Sequence, residues 1–509
     1  MTRYPADTMH ALLAAGEAQS RAIGTPERPW LTHSGLRDLA GRTLAALNAV
    51  GIGRGDRVAI VLPNGPEMAT AFLAIACGAT TAPLNPAYRA EEFEFYLSDL
   101  HAKAVVVARG VDGPVRTVAA ALSIPLIELS PGETAGAFTL DTSALPAAAP
   151  AKPGLAEPDD IALVLHTSGT TSRPKIVPLS HRNVTASAYH IRETLKLEPA
   201  DMCLNIMPLF HIHGLIAAVL CSVAAGASVC CTPGFNAFRF FSWLDSIRPT
   251  WYSAVPTMHQ AILPLAERNR DILSRVQLRL IRSSSSSLPP QVMMALEETF
   301  HAPVLEAYGM TEAAHQMCSN PLPPKPHYAG SVGPSGGPDV AIMDEAGTLL
   351  AAGATGEVVI RGRNVFSGYE NNPKANAEAF VNGWFRTGDQ GVLDEQGYLR
   401  LTGRLKEIIN RGGEKVSPLE VDAVLMDHPS VQQVVTFAMP HAKLGEEVAA
   451  AVVLREGRSL DEAGLREFAS ARLAAFKVPR KVVFLKEIPK GATGKLQRIG
   501  LAAKLGLGA

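Results

Sequence analysis

Residues 161–180 read IALVLHTSGTTSRPKIVPLS. An apolar, strand-like run ends at Thr167 and gives way to Ser168, Gly169, Thr170, Thr171 and Ser172, followed by Arg173 and Lys175. A run of this kind that breaks into Gly and hydroxyls predicts a buried strand feeding an exposed loop, and VPLS predicts that a second strand follows. The hydroxyls supply donors, and Gly169 lets the backbone approach a ligand closely. Two cations just downstream select an anion, most simply a polyphosphate. The loop is not the Walker phosphate loop, and the later pair Gly494-Lys495 is followed by Leu496, so it fails that pattern too. GIGRGD at residues 51–56 lacks the dinucleotide spacing and precedes a strand. A nucleotide held here is held by another route.

Outward from this loop, residues 36–110 alternate LRDLAGRTLAALNAVG, RVAIVLPN, PEMATAFLAIACGA and AKAVVVA. That rhythm of helix and strand predicts a parallel, helix-covered sheet. Residues 132–158, rich in Ala, Pro and Gly, read as a loose connection. The α/β rhythm resumes from Asn183 to Tyr308. Between residues 330 and 401 the text changes to short strands with Gly turns, such as GEVVIRGRN and GYLRLTGR. After Arg404 a separate small α/β pattern begins. The expected fold class is α/β. Residues 1–403 form a large N-terminal domain of helix-covered sheets with a β-rich subdomain at about 330–401. A joint follows at 404–406, and residues 407–509 form a small, mobile C-terminal domain.

The whole-chain balance excludes several classes. A formal net charge of −1 over 509 residues advertises neither nucleic acid nor an anionic membrane. The six cysteines show no metal-ligand spacing and read as reduced and buried, which with an N-terminus lacking a secretion signal suggests a cytoplasmic protein. Residues 214–231, GLIAAVLCSVAAGASVCC, are uncharged, but their small-residue centre favours a buried helix and strand over a membrane span. The chain is expected to be a monomer or small homo-oligomer.

Four further stretches complete a constellation: EAYGMTE (306–312), RTGD (386–389), GRLKEIINRGGEKVSP (403–418) and PKGATGKLQR (489–498). In this order, with the hydroxyl loop, the sequence resembles the adenylate-forming acyl-CoA synthetases along essentially its whole length. Within that superfamily it resembles the oxalate–CoA ligases, through TSRPK, PLFHIHGL, WYSAVPTMHQ, LRLIRSSSSSL and VLEAYGMTEAAHQMCSNPLP. One departure is Ile176 where relatives usually have Gly; a β-branched residue there should be extended.

The resemblance implies a two-step reaction with ATP and CoA as co-substrates and Mg²⁺ as cofactor. Thr167, Ser168, Gly169, Thr170, Thr171 and Lys175 would cradle the phosphates, Thr311 would touch the α-phosphate, and Glu312 would hold Mg²⁺. Glu306, Ala307 and Tyr308 would border the adenine. Asp389 would accept from the ribose hydroxyls, with Arg404 beside it. Lys495 would be the cation at the reacting carboxylate and α-phosphate. Arg411, Gly412 and Gly413 would face CoA, and Lys406 would be the hinge.

The acid is read from polar residues where relatives for fatty or aromatic acids are apolar. Arg282, Ser287, His211, His213 and His315 suit a short acid with a second carboxylate, since an apolar chain would leave such donors unpaired. Oxalate leads, ahead of malonate and of a coumarate-like acid. Transfer to a carrier protein in place of free CoA, and a non-catalytic nucleotide binder, stay open at this point.

Overall fold

A computed structural model describes residues 4–167, 174–491 and 496–508. Ser168, Gly169, Thr170, Thr171, Ser172, Arg173 and Lys495 lie outside the described residues.

Two large sheets form the body. One has seven strands in the order Phe138–Asp141, Leu126–Pro131, Ala104–Ala108, Arg57–Val61, Thr80–Pro83, Ile161–Thr167, Lys175–Ser180. The other has eight: His315–Ser319, Val304–Met310, Leu280–Ser284, Trp251–Ala254, Met202–Asn205, Ser228–Cys231, Arg21–Thr25, Arg28–Thr32. Each is parallel through its centre and closed at both ends by an antiparallel partner. Parallel strands need cover on both faces. The helix Pro66–Ala76 supplies it as PEMATAFLAIA, buried at every position except Glu67. Side chains from both sheets, Ile60 and Val106 on one and Val229 and Leu305 on the other, share one core with this helix and with His181–Leu195.

The loose connection expected at 132–158 is a correction. Phe138–Asp141 is a strand paired with Leu126–Pro131, where Phe138 packs into the core. The run at 214–231 is helical through Ala224 and then forms the strand Ser228–Cys231, all of it buried. Among the described residues no helix is long and apolar enough to cross a membrane. All six cysteines are free and buried.

A third, antiparallel sheet joins Asp339–Met343, Thr355–Arg361, Trp384–Leu393, Phe380–Val381 and Leu399–Arg404. From Ile409 onward a fourth sheet forms around Val431–His441 and Gly445–Leu454. It is covered by Pro418–Met426 and Glu462–Ser470 and has cores of its own. Ile176 lies in a strand opposite His166, with its side chain packed among Val164, Phe93 and Leu97. A glycine there would leave that part of the core unfilled.

Candidate active site

The strands that flank the hydroxyl run, Ile161–Thr167 and Lys175–Ser180, pair antiparallel. Thr167 and Lys175 are directly opposite in the ladder, with seven residues between them in sequence. The strand Lys175–Ser180 is the edge of the seven-stranded sheet, and Lys175 Nζ lies 4.4 Å from the ring centroid of Tyr369.

Tyr369 is a residue the sequence reading missed. Its hydroxyl donates to Glu312 Oε1 at 2.8 Å. Burial raises the Glu312 carboxyl above the usual range, opposed by the Tyr369 hydrogen bond and by the charges of Arg404 and Lys175. Phe366 N donates to Glu312 O at 2.8 Å and fixes the backbone there. The segment containing Tyr369 therefore joins the cation of the hairpin to the buried carboxylate.

Glu312 sits in the tight turn Thr311–Ala313, which reverses the chain between Val304–Met310 and His315–Ser319. The reversal forces Ala314 and His315 to φ +48° and +102°, an uncommon backbone for side-chain-bearing residues and a frequent one at functional sites. Gly309 is required at this point, because a Cβ would lie 1.8 Å from His315 O.

On the same strand, Tyr308 OH donates to Asp389 Oδ2 at 2.5 Å. Asp389 stands directly opposite Arg404 in the ladder, and Arg404 Nε is 3.3 Å from Asp389 Oδ1. Burial and the adjacent carboxylate push the Tyr308 hydroxyl well up, so it remains a donor. Asp389 in turn holds Arg404 above its ordinary value. RTGD is part of a strand and does not end one. It lies inside the ten-residue strand Trp384–Leu393 at an irregularity in the ladder, with Gly388 at φ +75°. The irregularity re-aims the Asp389 carboxylate toward Tyr308.

Glu306 is fully buried, and its Oε1 accepts from Leu288 N at 2.8 Å. Burial lifts its carboxyl to about 8, so it is protonated at neutral pH. Its side chain thus anchors the serine run to the strand, while Ala307 O accepts from Ser284 Oγ at 2.8 Å.

The polar residues expected for the acid do converge, with one change of partner. His213 Nε2 and Ser253 Oγ are 2.6 Å apart, and His213 Nδ1 and Ser285 Oγ are 3.0 Å apart. The His213 and His315 rings lie 5.1 Å apart, both side chains buried. The serine bonded to this pair is Ser285, which leaves the strand at φ +75°; Ser287 is exposed. Ser253 is a second member not singled out in the sequence. His211 accepts from His213 N at 3.3 Å and caps the short helix that presents His213. Arg282 neighbours Ser253 in the ladder and is wholly buried. Its Nη2 donates to Gln316 Oε1 at 3.3 Å, while Nε and Nη1 have no hydrogen-bond partner. Burial lowers it to about 10, which leaves it a cation at neutral pH. Among the described residues, a buried guanidinium with two unspent donors, paired in the ladder with the serine that holds His213, is an arrangement that favours an anion.

Arg411 spends its Nε on Glu447 Oε1 at 2.6 Å. Gly412 and Gly413, at φ +60° and +99°, turn the hairpin between Ile409–Arg411 and Glu414–Val416. Space beside Gly413 is open. Lys406 is exposed in the turn between the third and fourth sheets. The fourth sheet's unit touches the body through Gln291 and Asp427, and through Gln433 Nε2 and Gln260 Oε1 at 3.3 Å.

The profile of the AMP-binding enzymes matches residues 13–370, and that of the AMP-binding enzyme C-terminal domain matches residues 420–495. This chain belongs to the AMP-binding enzymes. Within the family it is similar to a probable CoA ligase of Humulus lupulus, 48% identical over 501 residues, or 95% of this chain and 93% of the relative. The oxalate–CoA ligase of Arabidopsis thaliana is 46% identical over 501 residues, 97% of each. ATP-bound MatB from Rhodopseudomonas palustris superposes with a TM-score of 0.86 at 30% identity, covering 96% of this chain and 97% of its own. Apo MatB, at the same identity and coverage, gives 0.78.

Proposed function

We propose that this AMP-binding enzyme is an ATP-dependent acid–CoA ligase whose acid is oxalate. The observation that carries the acid is the buried cluster of His213, Ser253, Ser285 and His315 with Arg282 behind it. The near-full-length likeness to an oxalate–CoA ligase supports it. An apolar acyl chain would leave the buried Arg282 Nε and Nη1 without an anion, a penalty of the kind that discriminates by about 10⁴-fold.

The reaction has two steps. A carboxylate oxygen of the acid attacks the α-phosphorus of ATP, the α–β anhydride bond breaks, and diphosphate leaves. The CoA sulfur then attacks the acyl carbon, the acyl–phosphate bond breaks, and AMP leaves as the thiol proton is lost. Thr167, Ser168, Gly169, Thr170, Thr171 and Lys175 hold the β- and γ-phosphates. Tyr369 keeps Lys175 and Glu312 on either side of its ring and hydroxyl. Thr311 meets the α-phosphate. Glu306 and Ala307 shape the wall on which Tyr308 meets adenine, and Asp389 accepts from the ribose with Arg404 beside it. Lys495 supplies positive charge where the acid and α-phosphate meet.

Among the described residues no group of three or more potential ligands could hold a metal alone. One buried carboxylate, Glu312, fits Mg²⁺, a hard ion that keeps few protein ligands beside phosphate oxygens. Bound there, it supplies charge that neutralises the phosphates.

His315 and Ser285 grip the distal carboxylate of oxalate, His213 holds Ser285 in place from Ser253, Arg282 supplies the opposite charge, and His211 fixes the His213 backbone. Arg411, Gly412 and Gly413 face CoA in the second step, the open side of Gly413 leaving room for its arm. Residues 1–403 form the large domain and 407–509 the small one, turning at Lys406.

His315→Ala and Ser285→Ala test the cluster. Each removes a hydrogen bond to a charged group, so the KM for oxalate should rise on the order of 10- to 100-fold with the KM for ATP unchanged. Steady-state thioester formation measures both. An unchanged KM for oxalate in both variants would clear the pair of this role.

A further inference from the structure

Arg498 lies three residues after Lys495, and its guanidinium reaches three separate parts of the molecule. Nη2 is 2.6 Å from Asp422 Oδ2 on the helix Pro418–Met426. Nη1 donates to Thr436 O at 3.1 Å on the strand Val431–His441. Nε is 3.4 Å from Glu407 Oε2, in the turn just after Arg404. The side chain is only 16% exposed, and its two carboxylate partners are 15% and 20% exposed.

The arrangement is more than a surface ion pair. Asp422 is itself fixed, because its Oδ1 accepts from Thr436 N at 2.6 Å. Burial pushes its carboxyl up, and Arg498 opposes that. Lys490 and Leu496 pair as an isolated bridge, and Leu496 packs against the core around Ile488. Charges also alternate along one path: Asp389, Arg404, Glu407, Arg498, Asp422. It runs from the carboxylate beside Tyr308, through the turn at the joint, to the chain that carries Lys495. A planar fork with five donors can serve three acceptors at fixed angles; an ammonium cannot.

We propose that Arg498 is the positioning residue for Lys495. It clamps the chain next to that lysine onto the small domain and, through Glu407, ties it to the joint. This rests on the role given to Lys495 above. Displacement of a reacting cation by about 1 Å is enough to cost on the order of 100-fold in rate.

Arg498→Lys keeps a cation for Asp422 but loses the fork. Adenylate formation, followed by exchange of labelled diphosphate into ATP with oxalate, should fall on the order of 10- to 100-fold. Thioester formation from a prepared acyl-adenylate and CoA should stay near wild type, since Lys495 is not needed there. Glu407→Gln, which removes one charge at the weakest of the three contacts, should give a smaller fall in the same half-reaction. Wild-type adenylation in an Arg498→Lys enzyme that melts like wild type overturns the proposal, and so does an equal fall in both half-reactions. If Arg498→Lys fails to fold, Glu407→Gln decides: a selective fall supports the clamp, and wild-type rates in both steps overturn it. Lys495→Ala distinguishes the two readings. If that variant keeps adenylation, the role of Lys495 fails and the clamp falls with it; if it loses adenylation while Arg498→Lys keeps it, only the clamp is contradicted.

Discussion

Lys495→Ala is expected to lower acyl-adenylate formation by on the order of 10³-fold or more, the scale for losing a charge that acts in the transition state. The carboxylate and the α-phosphate are both anions, and their approach needs a cation between them. Once the adenylate exists, that need is gone. Thioester formation from a prepared acyl-adenylate should therefore proceed in the variant at close to the wild-type rate. Exchange of diphosphate measures the first step, and single-turnover thioester formation measures the second. An equal fall in both, in a protein that folds, would place Lys495 outside the reacting centre.

Lys406→Pro is expected to divide the two steps the other way. Glu407 N and Ile408 N both bond Arg404 O, so the chain turns tightly between the third and fourth sheets. Proline at 406 fixes φ and removes a backbone donor. On the proposed two-step scheme the first step needs no turning, and adenylation should be retained. Thioester formation, for which we propose that the small domain rotates and presents the CoA side, should fall by on the order of 100-fold. The same two assays check it, and equal retention of both activities would rule out a hinge at this residue.

Why some of this was legible and some was not follows from particular residues. The central parallel strands announce themselves because each is a short apolar run between helices, as in RVAIV and AVVVA. The antiparallel strands at the sheet ends do not. Arg28–Thr32, read RPWLT, alternates weakly, and its place is set by pairing with Arg21–Thr25 and not by its own pattern. Phe138–Asp141 was hidden among Ala, Pro and Gly in the same way.

At the site, residues inside contiguous motifs could be read: Tyr308, Thr311, Glu312, Asp389. Tyr369 could not, since it meets Glu312 from 57 residues away and its GYENNP surroundings look like any turn. Five serines in a row give no periodicity to choose among. Only the strand's end at Ser284 and the positive φ of Ser285 select that residue for His213. Arg411 looked free for a ligand in sequence, yet its partner Glu447 is 36 residues on, across a ladder no local pattern reveals.

The most direct test of oxalate as the acid is CoA-thioester formation by the wild-type enzyme, followed by mass, across oxalate, malonate, acetate, octanoate and coumarate with ATP and Mg²⁺. Oxalyl-CoA should form with the highest kcat/KM, with AMP and diphosphate released in equal amounts. A higher kcat/KM for octanoate or coumarate would contradict the account.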